Sequence, residues 1–154
     1  MSQIETKLQA LGLQLPPTPP PGGVYHPVVI HQNTAYVSGQ APSLADGSLI
    51  TGQVGTNMSR EEGKQAAEAV ALTMISTLKA SLGDLDRIKR LIKVLGMVNC
   101  QPGFGQSPQV INGFSELWVK LLGPEHGKGA RSAVGMILPG GIAVEIEAIF
   151  ELHA

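Results

Sequence analysis

The C-terminal stretch ARSAVGMILPGGIAVEIEAIFEL, residues 130–152, carries most of the information about the fold. Residues 131–138 and 142–152 are rich in apolar, β-prone side chains, and Pro139-Gly140-Gly141 separates the two runs. Turns favour proline and glycine, so the pattern predicts two strands joined as a β-hairpin.

Alternation along the two predicted strands indicates which side chains share a face. Successive side chains of a strand point to opposite faces of the sheet. Glu145 and Glu147 share one face, and a short turn centred near Gly140 would bring Arg131 and Ala133 onto that face. The opposite face of the second strand is apolar, formed by Val144, Ile146, Ala148 and Phe150.

The polar face of this hairpin has two interpretations. In the first, Arg131 forms an exposed cross-strand ion pair with Glu145 or Glu147, which contributes at most about 1 kcal/mol to stability. In the second, Arg131 presents its planar guanidinium to a ligand carboxylate, and a glutamate handles a water proton. Small neighbours, Ala133 and Gly135, leave room for a ligand.

The N-terminal part of the chain indicates a second hairpin. Two β-prone runs lie on either side of residues 31–34. The register of this hairpin places Tyr25 opposite Gln40, close to Ser38 and Gly39.

Two helices are predicted between the hairpins. Ser59-Arg60-Glu61-Glu62 is a capping-box pattern, which begins a helix that ends at Gly83. A second helix begins at Ser107, with Pro108 in its first turn, and ends at Gly123-Pro124. Apolar stripes follow the helical period at Ala67, Val70, Ala71, Met74, Ile75, Leu78 and Leu82, and at Val110, Phe114, Leu117 and Leu121.

The order of the elements predicts an α+β fold. With a buried strand at residues 88–98, the order is strand-strand, helix, strand, helix, strand-strand, so two helices can cover one face of a mixed sheet. Residues 24–154 are predicted to form a single domain. Residues 1–23 precede it as a short amphipathic helix and a proline-rich connector, since proline fixes φ and removes the amide donor.

Composition and charge exclude several classes of protein. The formal net charge is −1 and the basic residues are scattered, whereas binding to nucleic acid phosphates requires clustered Lys and Arg. No apolar run is long enough to span a membrane, and the N-terminus lacks the basic start and apolar core of a signal peptide. The single cysteine, Cys100, favours a reducing compartment, so we expect a cytoplasmic protein. The four histidines lack metal-ligand spacing, so no metal is predicted.

Three stretches of the chain resemble motifs of the RidA/YjgF family. Residues 130–134 (ARSAV) followed by 144–148 (VEIEA) resemble the C-terminal signature of that family, and residues 36–42 (YVSGQAP) resemble its N-terminal element. In the same alignment Tyr25 falls on the active-site tyrosine of the family and Asn112 on its helix asparagine. The resemblance extends from Tyr25 to the C-terminus.

The resemblance implies a chorismate-mutase-like mixed sheet assembled as a barrel-like homotrimer, with ligand clefts between subunits. Active members hydrolyse imines and enamines of 2-oxo acids to the 2-oxo acid and ammonia. By analogy, Arg131 would bind the substrate carboxylate and Glu145 would activate or orient the attacking water. Tyr25, Ser38 and the Gly39 amide would line the cleft with Asn112, and the Ala133 backbone could hold the water. No cofactor is implied, because an imine carbon is already electrophilic.

The chain departs from the family pattern at several positions, which indicates a divergent subgroup. Gly129 stands where the family usually has proline or alanine, and Ala133 where cysteine is common. The loop at residues 123–129 is longer, and the proline-rich extension is additional.

Two alternatives to the deaminase stay open. The first is a non-catalytic trimer that binds a small carboxylate with Arg131. The second is the endoribonuclease or translation-inhibitor activity also attributed to the family, for which the chain lacks a basic patch. Only hydrolysis needs a proton-handling group, so Glu145 distinguishes an enzyme from a binding protein.

Overall fold

A five-stranded mixed β-sheet is the framework of the computed structural model, which describes residues 1–154. The elements are α1 (Gln3–Ala10), β1 (Val28–His31), β2 (Thr34–Gln40), α2 (Arg60–Leu82), β3 (Ile88–Val98), α3 (Ser107–Gly127), β4 (Ala130–Gly135) and β5 (Val144–Leu152). The strands lie in the order β1-β2-β5-β3-β4, with β3 and β4 parallel and the other neighbours antiparallel. Helices α2 and α3 pack on one face, and the other face is open. The predicted α+β architecture is confirmed.

The predicted C-terminal hairpin is wrong, because β3 lies between β4 and β5 and pairs with both. β3 is the longest strand, and partners on both edges satisfy its backbone N–H and C=O groups. The segment after β4 does not double back on that strand. Leu138 and Ile142 pack instead on Met97 near the end of β3, on either side of the turn at Pro139–Gly141. Proline and glycine do mark a turn, but it connects strands that are not neighbours.

The sheet register also places Arg131 on a different face from the two glutamates. Arg131 pairs with Val94, which in turn pairs with Ala148, and both apolar partners belong to the buried core under the helices. Arg131 therefore points to the helix-covered face, whereas Glu145 and Glu147 point to the open face. The predicted shared polar face is wrong, and Arg131 forms no ion pair with either glutamate.

Helix α2 begins and ends as its sequence predicts. The Ser59 hydroxyl accepts a hydrogen bond from the Glu62 N–H, and the Glu62 carboxylate accepts one from the Ser59 N–H at 2.7 Å. Gly83 ends the helix with φ of 78°, a backbone conformation that glycine adopts without steric cost. All seven residues of its predicted apolar stripe are buried.

Helix α3 begins at Ser107 and is interrupted at Gly123-Pro124, as predicted, but one more helical turn follows the break. Gly123 breaks the helix with φ of 82° and ψ of 165°, and Pro124 then starts one further helical turn that ends at Gly127. Proline is compatible with a first helical turn, where no amide donor is needed. No helix of the chain is both long enough and apolar enough to cross a membrane.

Aromatic rings of α3 and β5 fill the centre of the core. The ring of Trp118, the single tryptophan, lies 4.7 Å from that of Phe150 and 6.3 Å from that of Phe114. Its indole N–H is buried without a hydrogen-bond partner. Gly113 allows α2 to approach α3 closely, because any side chain there would collide with the backbone carbonyl of Lys64.

The N-terminal segment packs on the same core as the rest of the chain. Ile4 and Leu8 of α1 are buried in it. The hydroxyl of Ser76 on α2 donates a 2.7 Å hydrogen bond to the carbonyl of the buried Pro16. The proline-rich segment, residues 15–23, is therefore fixed along α2, although its composition predicts only a connector.

Candidate functional site

Six of the seven residues predicted to form the site lie in two separate clefts, and the seventh, Ala133, lines neither. We call the first the glutamate cleft; it has a volume of about 560 Å³ and contains Tyr25, Ser38, Gly39 and Glu145. The second, the arginine groove, lies between α3 and β4, also measures about 560 Å³, and contains Asn112, Ser115, Lys120, Lys128 and Arg131. No residue lines both clefts.

The carboxylate of Glu145 lies directly against the backbone of Gly39. A Cβ atom at residue 39 would be 2.8 Å from Oε2 of Glu145, so any other residue there would displace the carboxylate from this position. β2 bulges at the same point, because Ser38 and Gly39 together oppose the single residue Glu147 of β5. Bulges are common beside active sites, where they redirect side chains.

Tyr25 lies in the cleft but outside the hairpin. β1 begins at Val28, so the prediction that Tyr25 pairs opposite Gln40 is wrong. The reason is Pro27, whose carbonyl accepts the Ser38 N–H at 2.9 Å but which has no N–H to continue the ladder. The chain leaves the strand there, and about half of the Tyr25 side chain is exposed.

Local hydrogen bonds hold Tyr25 and Ser38 in place. The phenolic oxygen of Tyr25 accepts a hydrogen bond from the Gly22 N–H at 2.9 Å. The Ser38 hydroxyl donates to the His26 carbonyl at 2.8 Å. Both side chains thereby stay at the wall of the cleft, where the resemblance to the family places them.

Sequence reasoning missed two parts of this cleft. The buried Gln40 donates to the Ser38 carbonyl at 3.0 Å and accepts from the Thr77 hydroxyl at 2.8 Å, which ties the bulge to α2. Residues 19–22 of the proline-rich segment form part of the wall. The glutamine lies within the YVSGQAP motif and could have been predicted from it. No pattern in the sequence near residues 19–22 predicts that these prolines reach the cleft.

The environment of Glu145 favours its protonated form. Burial of the carboxyl, with the charge of Glu147 as a smaller contribution, raises the pKa of Glu145 above its ordinary value. A carboxyl whose pKa is raised can accept and return a proton closer to neutral pH, which suits a general acid-base group.

In the arginine groove, α3 positions the guanidinium of Arg131. Nη1 donates to Oδ1 of Asn112 at 2.8 Å and to Oγ of Ser115 at 3.2 Å, and Nη2 donates to the Pro108 carbonyl at 3.3 Å. Asn112 and Ser115 are three residues apart and therefore lie on the same face of the helix. Asn112, predicted to bind substrate, contacts Arg131 in this structure.

The guanidinium keeps binding capacity after these contacts. Three of its five N–H donors are used, so two remain for a carboxylate. Burial lowers the pKa of Arg131 from its ordinary value, but arginine stays charged in proteins at neutral pH. Ala133, two residues further along β4, shares the helix-covered face and packs against the core.

Arg131 and Glu145 of one chain cannot contact the same small ligand. Two strand spacings separate β4 from β5, which amounts to about 10 Å. Arg131 aligns through Val94 with Ala148, three residues from Glu145, which adds about 10 Å along the strands. The two side chains also leave the sheet on opposite faces.

The chain belongs to the family described as "YjgF/chorismate mutase-like, putative endoribonuclease", whose model matches residues 5–140. It is 41% identical to Protein TCP17 of Trypanosoma cruzi over an alignment of 152 residues. That alignment covers 98% of this chain and 95% of the relative. The RidA/YjgF resemblance is thereby confirmed.

Three solved structures are similar to this chain. An Agrobacterium tumefaciens protein of unknown function is 41% identical, with a TM-score of 0.87 and coverage of 98% of this chain and 92% of that chain. A Shewanella oneidensis protein named "putative endoribonuclease" is 30% identical, with a TM-score of 0.91 and coverage of 97% and 99%. RidA from an Antarctic Psychrobacter is 26% identical, with a TM-score of 0.60 and coverage of 90% and 97%.

Proposed function

We propose that the protein is a homotrimeric deaminase that hydrolyses 2-imino acids, or their enamine tautomers, to 2-oxo acids and ammonia. The observation that carries the proposal is the separation of Arg131 from Glu145 within one chain. Each cleft contains one half of the predicted chemistry, a carboxylate-binding cation in one and a proton-handling carboxyl in the other. The halves can act together only if the arginine groove of one subunit meets the glutamate cleft of another.

The open face of the sheet supports such an assembly. It carries apolar side chains that no helix covers: Val29, Tyr36, Leu95, Val134 and Ile149. Polar side chains, among them Lys93, Ser132 and Glu147, are interspersed with them. An exposed sheet face normally carries mainly polar residues, so the exposed apolar side chains indicate a contact surface. Packing of this face against other subunits would form the barrel-like homotrimer that the family resemblance implies.

The proposed chemistry follows from the two clefts. Arg131 binds the substrate carboxylate through its two remaining N–H donors, and Asn112 and Ser115 hold the guanidinium. Glu145 of the partner subunit accepts a proton from water as the water oxygen bonds to the imine carbon. The same carboxyl then returns the proton to nitrogen, which gives a carbinolamine. It next takes the remaining hydroxyl proton and passes it to the nitrogen, so that the C=O bond forms as the C–N bond breaks and ammonia leaves. Tyr25 and Ser38 line this end, and no cofactor takes part in the scheme.

The experiment generates 2-iminobutanoate in situ with an amino-acid oxidase and traps the surviving imine with semicarbazide. Wild-type protein should reduce the yield of semicarbazone. Arg131→Ala should abolish the reduction, and Glu145→Gln should lower turnover by about 10²- to 10⁴-fold, the usual contribution of a general acid-base group.

Arg60→Ala and Glu61→Gln serve as matched controls, since these residues form an exposed ion pair outside both clefts. Both controls should retain wild-type turnover. Equal trapping by wild type and Arg131→Ala would reject the deaminase for this substrate.

A carboxylate-binding trimer without catalysis is the rival that shares Arg131. If the wild-type protein binds 2-oxobutanoate but does not shorten the lifetime of the imine, the binding trimer is favoured. The endoribonuclease in the family description has less support here, because the formal net charge of −1 disfavours a nucleic acid partner.

A further inference from the structure

We propose that the arginine groove binds a second anionic group, so that the preferred substrate is a 2-imino acid with an anionic side chain. The inference rests on the proposed function only in assigning Arg131 to the first carboxylate. It assigns Lys120 and Lys128 to the second anionic group, which is a carboxylate or a phosphate.

The charges that line the groove do not balance. Lys120, Lys128 and Arg131 all line it, and none of the three forms an ion pair within the chain. The single carboxylate in the lining, that of Glu116, is bound to Lys64 at 3.1 Å. Three cations therefore face a cavity without an acidic partner.

The two lysines approach the groove from different walls. Lys120 lies on α3 at the edge of the groove, about 80° around the helix from Asn112 and with its Cα about 12 Å along the helix axis from that of Asn112. Lys128 lies just before β4, three residues from Arg131. The four-carbon stem of lysine is flexible, so both ammonium groups can reach a ligand already held at Arg131.

This arrangement is unfavourable in the free protein and favourable with a dianion bound. Lys120 and Lys128 are exposed at the rim of the groove. Like charges that line one groove repel each other and raise the local concentration of anions. A monocarboxylate satisfies Arg131 and leaves both lysines without a partner. A ligand with a second anionic group neutralises them, and the groove, at about 560 Å³, has room for it.

The test measures binding of stable 2-oxo acids by calorimetry at fixed ionic strength, so that turnover is not required. The probes are the monoanion 2-oxobutanoate, the dicarboxylate 2-oxoglutarate and the phosphorylated acid 3-phosphohydroxypyruvate. Wild-type protein should bind at least one dianion about tenfold or more tightly than the monoanion, as expected for one charge-assisted contact. In the double variant Lys120→Gln/Lys128→Gln this ratio should fall towards one, because the affinity for the ligands with a second anionic group falls by a larger factor than the affinity for 2-oxobutanoate.

The double variant Arg60→Gln/Lys89→Gln is the control, because it removes two exposed charges outside the groove. It should keep the wild-type ratio. Tight binding of only the dicarboxylate, or of only the phosphorylated acid, would identify the second group.

Three results would overturn the inference. The first is the same ratio in wild type and in the lysine double variant. The second is dissociation of the oligomer in that variant, which would assign the lysines to ion pairs between subunits. The third is a lysine-dependent affinity for a short single-stranded RNA that exceeds the affinity for any dianion. Failure of the deaminase alone, with dianion selectivity intact, would reject the imino acid as substrate and leave the binding of a second anionic group in the groove standing.

Discussion

At the scale of single residues, the environment of Glu145 is the most informative part of the molecule. Its carboxylate lies against Gly39 at the bulge of β2, and Glu147 projects from the same face of β5. Burial and a neighbouring like charge both favour the protonated form. A protein that keeps such a carboxyl loses some stability whenever the group is ionised, and functional sites commonly carry this kind of disadvantage.

The pH dependence of stability tests this view. The pKa of Glu145 is higher in the folded chain than in the unfolded chain. The stability that Glu145 contributes is therefore fully present below the pKa of the unfolded chain, and it is lost as pH rises through the pKa of the folded chain. We therefore expect Glu145→Gln to have a higher Tm than wild type at pH 8, with the difference vanishing at pH 4. Thermal unfolding at the two pH values measures it, with Glu61→Gln as the exposed control. A Tm difference that grows towards low pH would contradict the assignment.

At the scale of elements, the proline-rich segment has the least expected role. It packs along α2 and supplies residues 19–22 to the wall of the glutamate cleft. Proline has little backbone freedom to lose, so this wall is rigid before any ligand binds. Its position depends on the hydrogen bond from Ser76 to the buried Pro16 carbonyl.

Ser76→Ala should therefore destabilise the protein. The substitution leaves a buried carbonyl without its partner, which costs about 1–3 kcal/mol in the free energy of unfolding. Urea denaturation measures the loss. Ser48→Ala, which removes an exposed hydrogen bond to Asp46, should change stability by less than about 0.5 kcal/mol. Equal effects of the two variants would show that Ser76 does not anchor the segment.

Predictability from sequence differed between kinds of element. The capping box at Ser59 and the stop at Gly83 are local, because each depends on residues within one turn, and both were predicted correctly. Alternation within β5 was also correct. The side of the sheet to which Arg131 points was predicted wrongly. It depends on the pairing of β3 with both β4 and β5, and nothing in the sequence near Arg131 encodes that pairing.

At the scale of the whole molecule, the proposed assembly through the open face of the sheet would bring the two clefts together into one site. The resemblance to the family predicted that Arg131 and Glu145 act in one cleft, but the chain by itself keeps them in two. Spacing alone could not reveal this separation, since residue order along a chain does not determine strand order in a sheet. The proposed hydrolysis therefore requires that the subunits assemble.

A charge in the centre of the open face should prevent assembly. Leu95 pairs with Ser132 on one side and Glu147 on the other, so Leu95→Asp places a carboxylate among the apolar side chains of that face. We expect the variant to elute as a monomer, to retain its fold by circular dichroism and to lose imine hydrolysis. Gln65→Asp, on the exposed surface of α2, should keep the wild-type mass in light scattering. A trimeric and active Leu95→Asp would reject the proposed interface.

The buried tryptophan has a consequence for optical measurements. Trp118 is surrounded by core aromatic rings on the helix-covered side of the sheet, away from the open face, and its N–H contacts no polar group. An indole in such surroundings emits at short wavelength, and the emission moves to the red only when water reaches the ring. Separation of subunits at the open face leaves the ring covered, whereas unfolding exposes it. The intrinsic fluorescence of the chain therefore distinguishes a dissociated, folded subunit from a denatured one without any added label.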